Sequence, residues 1–220
     1  EGFSRDSYRY AFTHLTKAIP NTFIIGGLAL IVVIVLAILI AYLVVRRNNL
    51  MNKVIDTVSM VPYIIPGSVV GIALVMAFNK KPLVLTGTMI IMIVALVIRR
   101  IPYTIRSSTA TLQQISMSIE EAAISLGSSK LKAFFRITVP MMANGILSGA
   151  IMSWVTIITE LSTAIILYNL NTITLTLATY TYVSRGNYGI AAAYATILTV
   201  STIISLLIYM KVTGNKEISF

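Results

Sequence analysis

Five long and strongly apolar stretches of this chain contain no Lys, Arg, Asp or Glu. They cover residues 18–45, 57–79, 82–98, 137–159 and 186–210. A helix needs roughly 17–25 apolar residues to cross the hydrocarbon core of a bilayer, and each stretch is close to that length. The pattern therefore predicts five spanning helices in an all-α, polytopic membrane protein.

One segment outside these stretches shows a different period. Thr172, Thr174 and Thr176 alternate with apolar residues, which by period alone predicts a β-strand. A single strand would leave its backbone hydrogen-bonding groups without partners. We therefore interpret residues 169–185 as an amphipathic connection on the outer side of the membrane, before the last span.

The composition agrees with a membrane location. Of the 220 residues, 57% are hydrophobic and 11% are charged, and the mean hydropathy is +0.88. The net charge of +10 does not indicate nucleic-acid binding, because the basic residues lie mostly at the edges of the apolar stretches and form no patch with interleaved aromatic residues. We expect the lipid bilayer as a partner and no nucleic acid.

The basic residues also indicate which side of the membrane each loop occupies. When successive loops are assigned to alternate sides, eleven Lys and Arg residues fall on one side and six on the other. The larger group is Arg46, Arg47, Lys53, Arg99, Arg100, Arg106, Lys130, Lys132, Arg136, Lys211 and Lys216; the smaller is Arg5, Arg9, Lys17, Lys80, Lys81 and Arg185. Because cytoplasmic loops carry more positive charge, the loop at about 107–140 and the C-terminus are predicted to be cytoplasmic.

This topology divides the chain into two parts. Residues 1–19 mix charged and aromatic side chains, which is typical of an amphipathic segment at a membrane surface, here the outer one. Residues 20–215 are predicted to form a single transmembrane domain.

Little in the sequence suggests catalysis. The chain has no cysteine, which excludes disulfides, thiolate metal sites and cysteine nucleophiles, and His14 is its only histidine. It also lacks a nucleophile elbow, paired intramembrane carboxylates and the spacing of metal ligands. We therefore predict no catalytic residue, no metal site and a role other than that of an enzyme.

The second apolar stretch contains residues that interrupt helices. Pro62, Pro66, Gly67 and Gly71 remove backbone donors, permit kinks and allow neighbouring helices to approach closely. Irregular backbone inside a membrane must be sheltered by protein or line a water-filled cavity. Two compatible interpretations stay open: these residues shape helix packing, or they form part of a translocation pathway.

The long loop before the fourth stretch has its own helix signals. Residues 118–126 favour a short helix, which Gly127 is well placed to end, and Ser128 or Ser129 can cap a second helix. In the second helix, Leu131, Phe134 and Phe135 are predicted to share a face that packs on the membrane domain. Pro140 suits the first turn of the helix that follows.

The same loop carries a spaced motif. It reads Glu121-Ala122-Ala123-x3-Gly127-x9-Ile137-x-Val139-Pro140. This motif resembles the signature of type I ABC importer permeases, as do Asn21-Thr22 at the start of the first span and Tyr42 and Arg46 at its end. Two positions depart from the usual pattern: Val139 replaces a common leucine, and Leu126 stands where many relatives have an acidic residue.

The resemblance implies a transmembrane domain whose loop docks on a separate ATPase. The coupling residues it implies are Glu120, Glu121, Ala122, Ala123, Gly127, Ile137 and Pro140, with the two carboxylates free to pair with basic residues of the partner. It also implies that residues 169–185 are helical.

The implied partners are ABC ATPase subunits, an extracytoplasmic substrate-binding protein and a second permease half, which is identical, different or fused. ATP and magnesium would bind the ATPase, since this chain has no phosphate-binding loop and is expected to bind no cofactor. The expected location is a bacterial or archaeal cytoplasmic membrane. Because relatives usually have a further helix before Asn21, the chain resembles a truncated permease or the second half of a fused one.

Glu160 directly follows the fourth apolar stretch and is the only acidic residue between Glu121 and Glu217. A carboxylate at membrane depth is costly, so Glu160, Ser162 and Thr163 are candidates for the translocation pathway; the alternative is a structural hydrogen bond within the helices. The run from Glu160 to Ala164 resembles the ferric-iron subgroup, which suggests ferric iron as the cargo. Phosphonate, polyamine, thiamine or another small solute is the alternative, and an ion-gradient-driven transporter is a more distant one.

Overall fold

The computed structural model describes residues 5–14, 16–47 and 49–213, and every regular element in these ranges is helical, as predicted. The α-helices are α1 (Asp6–Thr13), α2 (Ala18–Arg46), α3 (Leu50–Ile64), α4 (Gly67–Phe78), α5 (Met89–Gln113), α6 (Met117–Ser125), α7 (Lys130–Ala133), α8 (Val139–Met141), α9 (Ala143–Ile158), α10 (Ala164–Leu167), α11 (Leu175–Ser184) and α12 (Tyr188–Thr213). A π-helical turn, Phe134–Thr138, joins α7 to α8. Residues 1–4 of the predicted outer segment and the predicted cytoplasmic C-terminus after residue 213 lie outside the described residues.

The centre of the fold is α5, which lies between α2 and α9. On α2, small and β-branched residues recur every fourth position and are fully buried: Ala29, Val33, Ala37 and Ala41. On α9, Gly145 and Gly149 form a G-x-x-x-G pattern, which permits close helix contact in membranes. A Cβ atom at Gly149 would lie 2.7 Å from the Cα of Thr104 on α5. Glycine is therefore required for this approach.

Two described helices, α2 and α12, are long and apolar enough to cross a membrane on their own. Two further candidates are bent pairs: α3 and α4 meet at 109°, and the segment Lys130–Met141 meets α9 at 67°. Counting each pair as one span gives up to four spans by length and composition among the described residues. The remaining predicted span is α5, whose 25 residues include Arg99, Arg100 and Arg106.

The third predicted span is shifted along the chain. The apolar stretch began at residue 82, but α5 begins at Met89 because the Thr88 side chain caps it, accepting a hydrogen bond from the Ile91 amide. At its other end, α5 continues to Gln113. Ser107 to Gln113, which we assigned to the loop, are therefore helical, and the Ser107 hydroxyl donates to the Gly145 carbonyl at 2.6 Å. Polar residues at this end serve helix packing.

The segment at 169–185 contains a helix, α11, and no strand. The residues between the alternating threonines contact the start of α2: Asn21 Nδ2 donates to the Ile173 carbonyl at 3.0 Å, and the Thr22 hydroxyl accepts from the Leu175 amide at 2.8 Å. The threonines bond elsewhere, and the Thr176 hydroxyl donates to the Ile158 carbonyl at 2.7 Å. At the same end of the bundle, α1 packs on α11 and α12, where the Tyr194 hydroxyl donates to the Ala11 carbonyl at 3.2 Å. The loop that contains α6 lies at the other end of α2.

Candidate functional site

Helix α6 has a defined start and a defined end. The Ser116 side chain accepts a hydrogen bond from the Ser118 amide, which caps the first turn. At the other end, Gly127 has φ +92°, its amide donates to Ile124, and the Ser128 amide donates to Ala123. These two bonds form a Schellman motif, which satisfies carbonyls at a helix end. The predicted role of Gly127 as the helix stop is therefore confirmed.

Glu120 is buried inside the chain. Its carboxylate accepts hydrogen bonds from the Tyr42 hydroxyl and from Arg46 Nε, both at 2.9 Å, and only 6% of the residue is exposed. Arg46 also donates to the carbonyl of Ile115, just before α6, at 3.1 Å. The end of α2 thus supplies a cation for Glu120 within the chain, and pairing of Glu120 with a basic residue of a partner stays a prediction. The effect is to fix α6 against α2.

The neighbouring residues of α6 face the other way. Glu121 and Ala122 are exposed and Ala123 is half-buried. Apolar side chains on the same short helix are also open, and Leu126 beside Gly127 is 89% exposed. The loop thus presents a carboxylate, small residues and uncovered apolar surface at one end of the bundle.

The second helix of the loop packs differently from the prediction. Ser129 does cap it, accepting from the Lys132 amide at 3.3 Å, but of the three predicted core residues only Phe134 is buried. Phe134 packs edge-on against Tyr42 with ring centroids 4.7 Å apart, whereas Leu131 and Phe135 are exposed. The contact with Tyr42 and the wide π-helical turn that starts at Phe134 select a different face from the one that regular helical spacing predicts.

The last two residues of the motif lie further along this helix. Ile137 belongs to the π-helical turn and is half-buried, and Pro140 is exposed in α8. The bend that precedes α9 falls at Met142, two residues after the proline. The motif residues are therefore split between α6 and the helix that leads into the membrane.

A second group of candidate residues surrounds the break between α3 and α4. Pro66 has no amide proton, so the Pro62 carbonyl loses its helical donor, and α3 ends at Ile64. Arg99 of α5 replaces that donor: its guanidinium donates to the Pro62 carbonyl at 3.2 Å and to the Ile65 carbonyl at 2.5 Å. The break predicted from the prolines is confirmed, and Arg99 supplies the hydrogen bonds that the carbonyls at the break need.

Glu160 follows the end of α9 and is 5% exposed. Its carboxylate accepts from the Ser162 hydroxyl at 2.6 Å and the Thr163 amide at 3.1 Å, and it forms an ion pair with Arg100 of α5. The predicted local hydrogen bond is therefore present, together with a charge partner that the sequence did not identify. Arg99 and Arg100 were counted as charges at a membrane edge. The structure places them ten or more residues inside α5, and arginine at membrane depth requires a partner. The sequence alone did not reveal this depth, because both arginines directly follow an apolar stretch.

The two irregular segments touch each other. A Cβ atom at Gly67 would lie 2.1 Å from the Ser162 hydroxyl oxygen and 2.6 Å from that of Thr163. Gly67 on one segment thus contacts Ser162 and Thr163 on the other. Pro62 and Glu160 are each held by one of two adjacent arginines of α5. In the described parts of the chain, no three His, Cys, Asp or Glu side chains gather at a point that would hold a metal ion.

The arrangement of helices defines a class of protein. The crystal structure of a bacterial ABC transporter involved in the import of the acidic polysaccharide alginate contains a chain with this fold, at a TM-score of 0.79 and 18% sequence identity over 100% of this chain and 85% of that one. The fold is that of an ABC importer transmembrane domain.

The family follows from the sequence match. Residues 33–212 match the family described as the binding-protein-dependent transport system inner membrane component, and the chain belongs to that family. Ferric transport system permease protein FbpB of Actinobacillus pleuropneumoniae is 34% identical over 198 residues, which are 90% of this chain and 29% of that protein. The putative 2-aminoethylphosphonate transport system permease protein PhnV of Salmonella paratyphi A is 29% identical over 160 residues, which are 73% of this chain and 59% of that protein. The chain spans less than a third of the length of the ferric relative.

Proposed function

We propose that this chain is a permease segment of an ATP-driven importer in the cytoplasmic membrane, and that α6 transmits force from a separate ATPase. The observation that carries the proposal is the opposite placement of Glu120 and Glu121. Glu120 anchors α6 to α2 through Arg46 and Tyr42, while Glu121 and the apolar residues beside it are uncovered. A helix that is anchored to the bundle on one face and exposed on the other can pass the movement of a docked partner on to the bundle.

The partners follow from this role. ATPase subunits carrying ATP and magnesium would receive α6 in a groove, with small Ala122 allowing close approach and Glu121 meeting a basic side chain. A substrate-binding protein would meet the opposite, outer end, and a second permease half would complete the pathway. Residues 62–67 and 160–163 would line that pathway. In this arrangement, α6, Gly127, Ile137 and Pro140 lie on the cytoplasmic side.

Ferric iron is the proposed cargo. The support is the 34% identity to a ferric transport permease over most of this chain. A phosphonate is the second candidate, because a relative named for 2-aminoethylphosphonate transport is 29% identical.

The test is uptake of ferric iron by cells that contain the complete transporter, with variants expressed at equal levels. Gly127→Pro removes an amide that donates to Ile124 and imposes a φ far from +92°. Gly186→Pro is a matched control: Gly186 has φ +74°, its amide donates to Val183, and it has the same open surroundings at the other end of the bundle. We expect Gly127→Pro and Glu121→Lys to abolish uptake while the protein still inserts, and Gly186→Pro to retain it.

Three results would contradict different parts of the proposal. Equal uptake in all variants would exclude coupling through α6. Uptake that continues without ATP and stops when the ion gradient is dissipated would identify a secondary transporter. If iron is not taken up but ATP hydrolysis still depends on the binding protein, only the cargo is wrong, and 2-aminoethylphosphonate is the next solute to test.

A further inference from the structure

Two adjacent arginines occupy the middle of α5. Ten helical residues precede Arg99 and thirteen follow Arg100 within Met89–Gln113. Consecutive residues of an α-helix are separated by about 100° around its axis, so the two guanidinium groups reach different neighbours. Arg99 reaches the break between α3 and α4, and Arg100 reaches the segment that follows α9.

Arg99 supplies the hydrogen bonds that the broken helix lacks. The carbonyls of Pro62 and Ile65 both accept from its guanidinium. An unpaired backbone carbonyl inside a membrane is strongly unfavourable, so the break depends on this side chain.

Arg100 and Glu160 form a buried ion pair, with 13% and 2% of their side chains exposed. By contrast, Arg106 on the same helix pairs with Asp56 at 3.3 Å, and those side chains are 55% and 29% exposed. Helix α5 therefore carries one buried ion pair at the helix breaks and one solvent-exposed ion pair away from them.

The network at the breaks is not fully satisfied. Arg99 Nε, Arg100 Nε and the Thr163 hydroxyl are buried and make no hydrogen bond within the described chain. A buried polar group without a partner costs free energy, so the closed arrangement of the breaks is less stable than a fully connected network would make it. Contact between the breaks is also close, because no atom fits between Gly67 and Ser162.

We propose that Arg99 and Arg100 are positioning residues that latch the two helix breaks together, and that the Arg100–Glu160 pair opens as solute passes. The transport role of this latch rests on the proposed function. Arg99 holds residues 62–66 on one side of α5, and Arg100 holds residues 160–163 on the other. When the Arg100–Glu160 ion pair opens, residues 160–163 are released from α5, while Arg99 still holds residues 62–66.

The experiment uses the absence of cysteine from the chain. Thr163 is 1% exposed, and Thr163→Cys places the chain's only thiol at the contact between the breaks. Removing one partner of a buried pair leaves an uncompensated charge, so the latch is opened with the neutral double variant Arg100→Gln/Glu160→Gln, which avoids that penalty. The matched control is Asp56→Asn/Arg106→Gln, which removes the exposed pair from the same helix. The complete transporter is reconstituted in proteoliposomes and labelled with a water-soluble maleimide.

We expect the thiol to react about tenfold faster in the neutral double variant, the change that corresponds to about 1.4 kcal/mol, and at an unchanged rate in the control. With Arg100 and Glu160 intact, ATP and loaded binding protein should accelerate labelling. ATP hydrolysis without binding protein should also rise in the double variant.

An unchanged labelling rate in the neutral double variant would overturn the latch, as would a wild-type ratio of stimulated to unstimulated hydrolysis. Failure of that variant to fold would show that the pair is a structural support and would also overturn it. Labelling without ATP requires neither cargo nor coupling. A transporter that labels as expected but imports no iron would therefore refute the proposed cargo and leave the latch standing.

Discussion

Glu120 and Glu121 are adjacent identical residues with opposite surroundings, and replacing each in turn by alanine separates anchoring from docking. Glu120→Ala removes the acceptor for Tyr42 and Arg46, both at 2.9 Å. The Arg46 and Glu120 side chains are each 8% exposed, so Arg46 would remain buried with a carbonyl as its main partner. Breaking one side of a buried pair costs about 3–5 kcal/mol. Replacing an exposed residue such as Glu121 changes stability by about 0.5 kcal/mol or less.

The assay is hydrogen exchange of the amides of residues 118–128 in the purified transporter. We expect Glu120→Ala to accelerate exchange by about a hundredfold or more, since each 1.4 kcal/mol is a factor of about ten. Glu121→Ala should leave exchange unchanged without the ATPase and weaken ATPase binding. The reasoning is refuted if both variants exchange alike, or if Glu121→Ala is the one that loosens α6.

Glycine variants test two other contacts. Gly149→Ala places a Cβ 2.7 Å from the Cα of Thr104 and should push α5 and α9 apart, lowering the amount of folded protein recovered from membranes, whereas Gly27→Ala meets no atom within 4 Å and should be neutral. The Cβ of Gly127→Ala meets open space, but the alanine must adopt φ +92°. We therefore expect the free energy of unfolding of α6 to fall by about 1–2 kcal/mol and uptake to be reduced only in part. Full uptake with Gly149→Ala, or equal losses for Gly127→Ala and Gly127→Pro, would contradict these expectations.

Features set by local chemistry could be predicted from the sequence. Gly127 ends α6, Ser129 caps the next helix, and Pro66 interrupts the second apolar stretch. Each depends on the backbone properties of the residue itself. The start of α5 was placed too early because apolar composition does not reveal the cap at Thr88.

Features set by distant pairing could not be predicted. Glu120 meets Arg46, 74 positions earlier, and nothing in the run Glu120-Glu121 shows which carboxylate turns inward. Arg100 meets Glu160 across 60 positions, and its position at the end of an apolar stretch is equally typical of a membrane edge. The π-helical turn at Phe134 likewise depends on the contact with Tyr42 rather than on local spacing.

The length of α5 has a mechanical consequence. Its last turn contributes Leu112 to the apolar cluster with Ala41 and Met142 near α6, while Arg100 lies twelve residues earlier at the helix breaks. At 1.5 Å per residue, about 18 Å of continuous helix separates the two points. A tilt of about 10° about Leu112 would displace Arg100 by about 3 Å, roughly the whole length of a hydrogen bond. A tilt of α5 as one body, Pro102 included, would therefore turn a small rotation at the Leu112 end into a complete break of contact at Arg100.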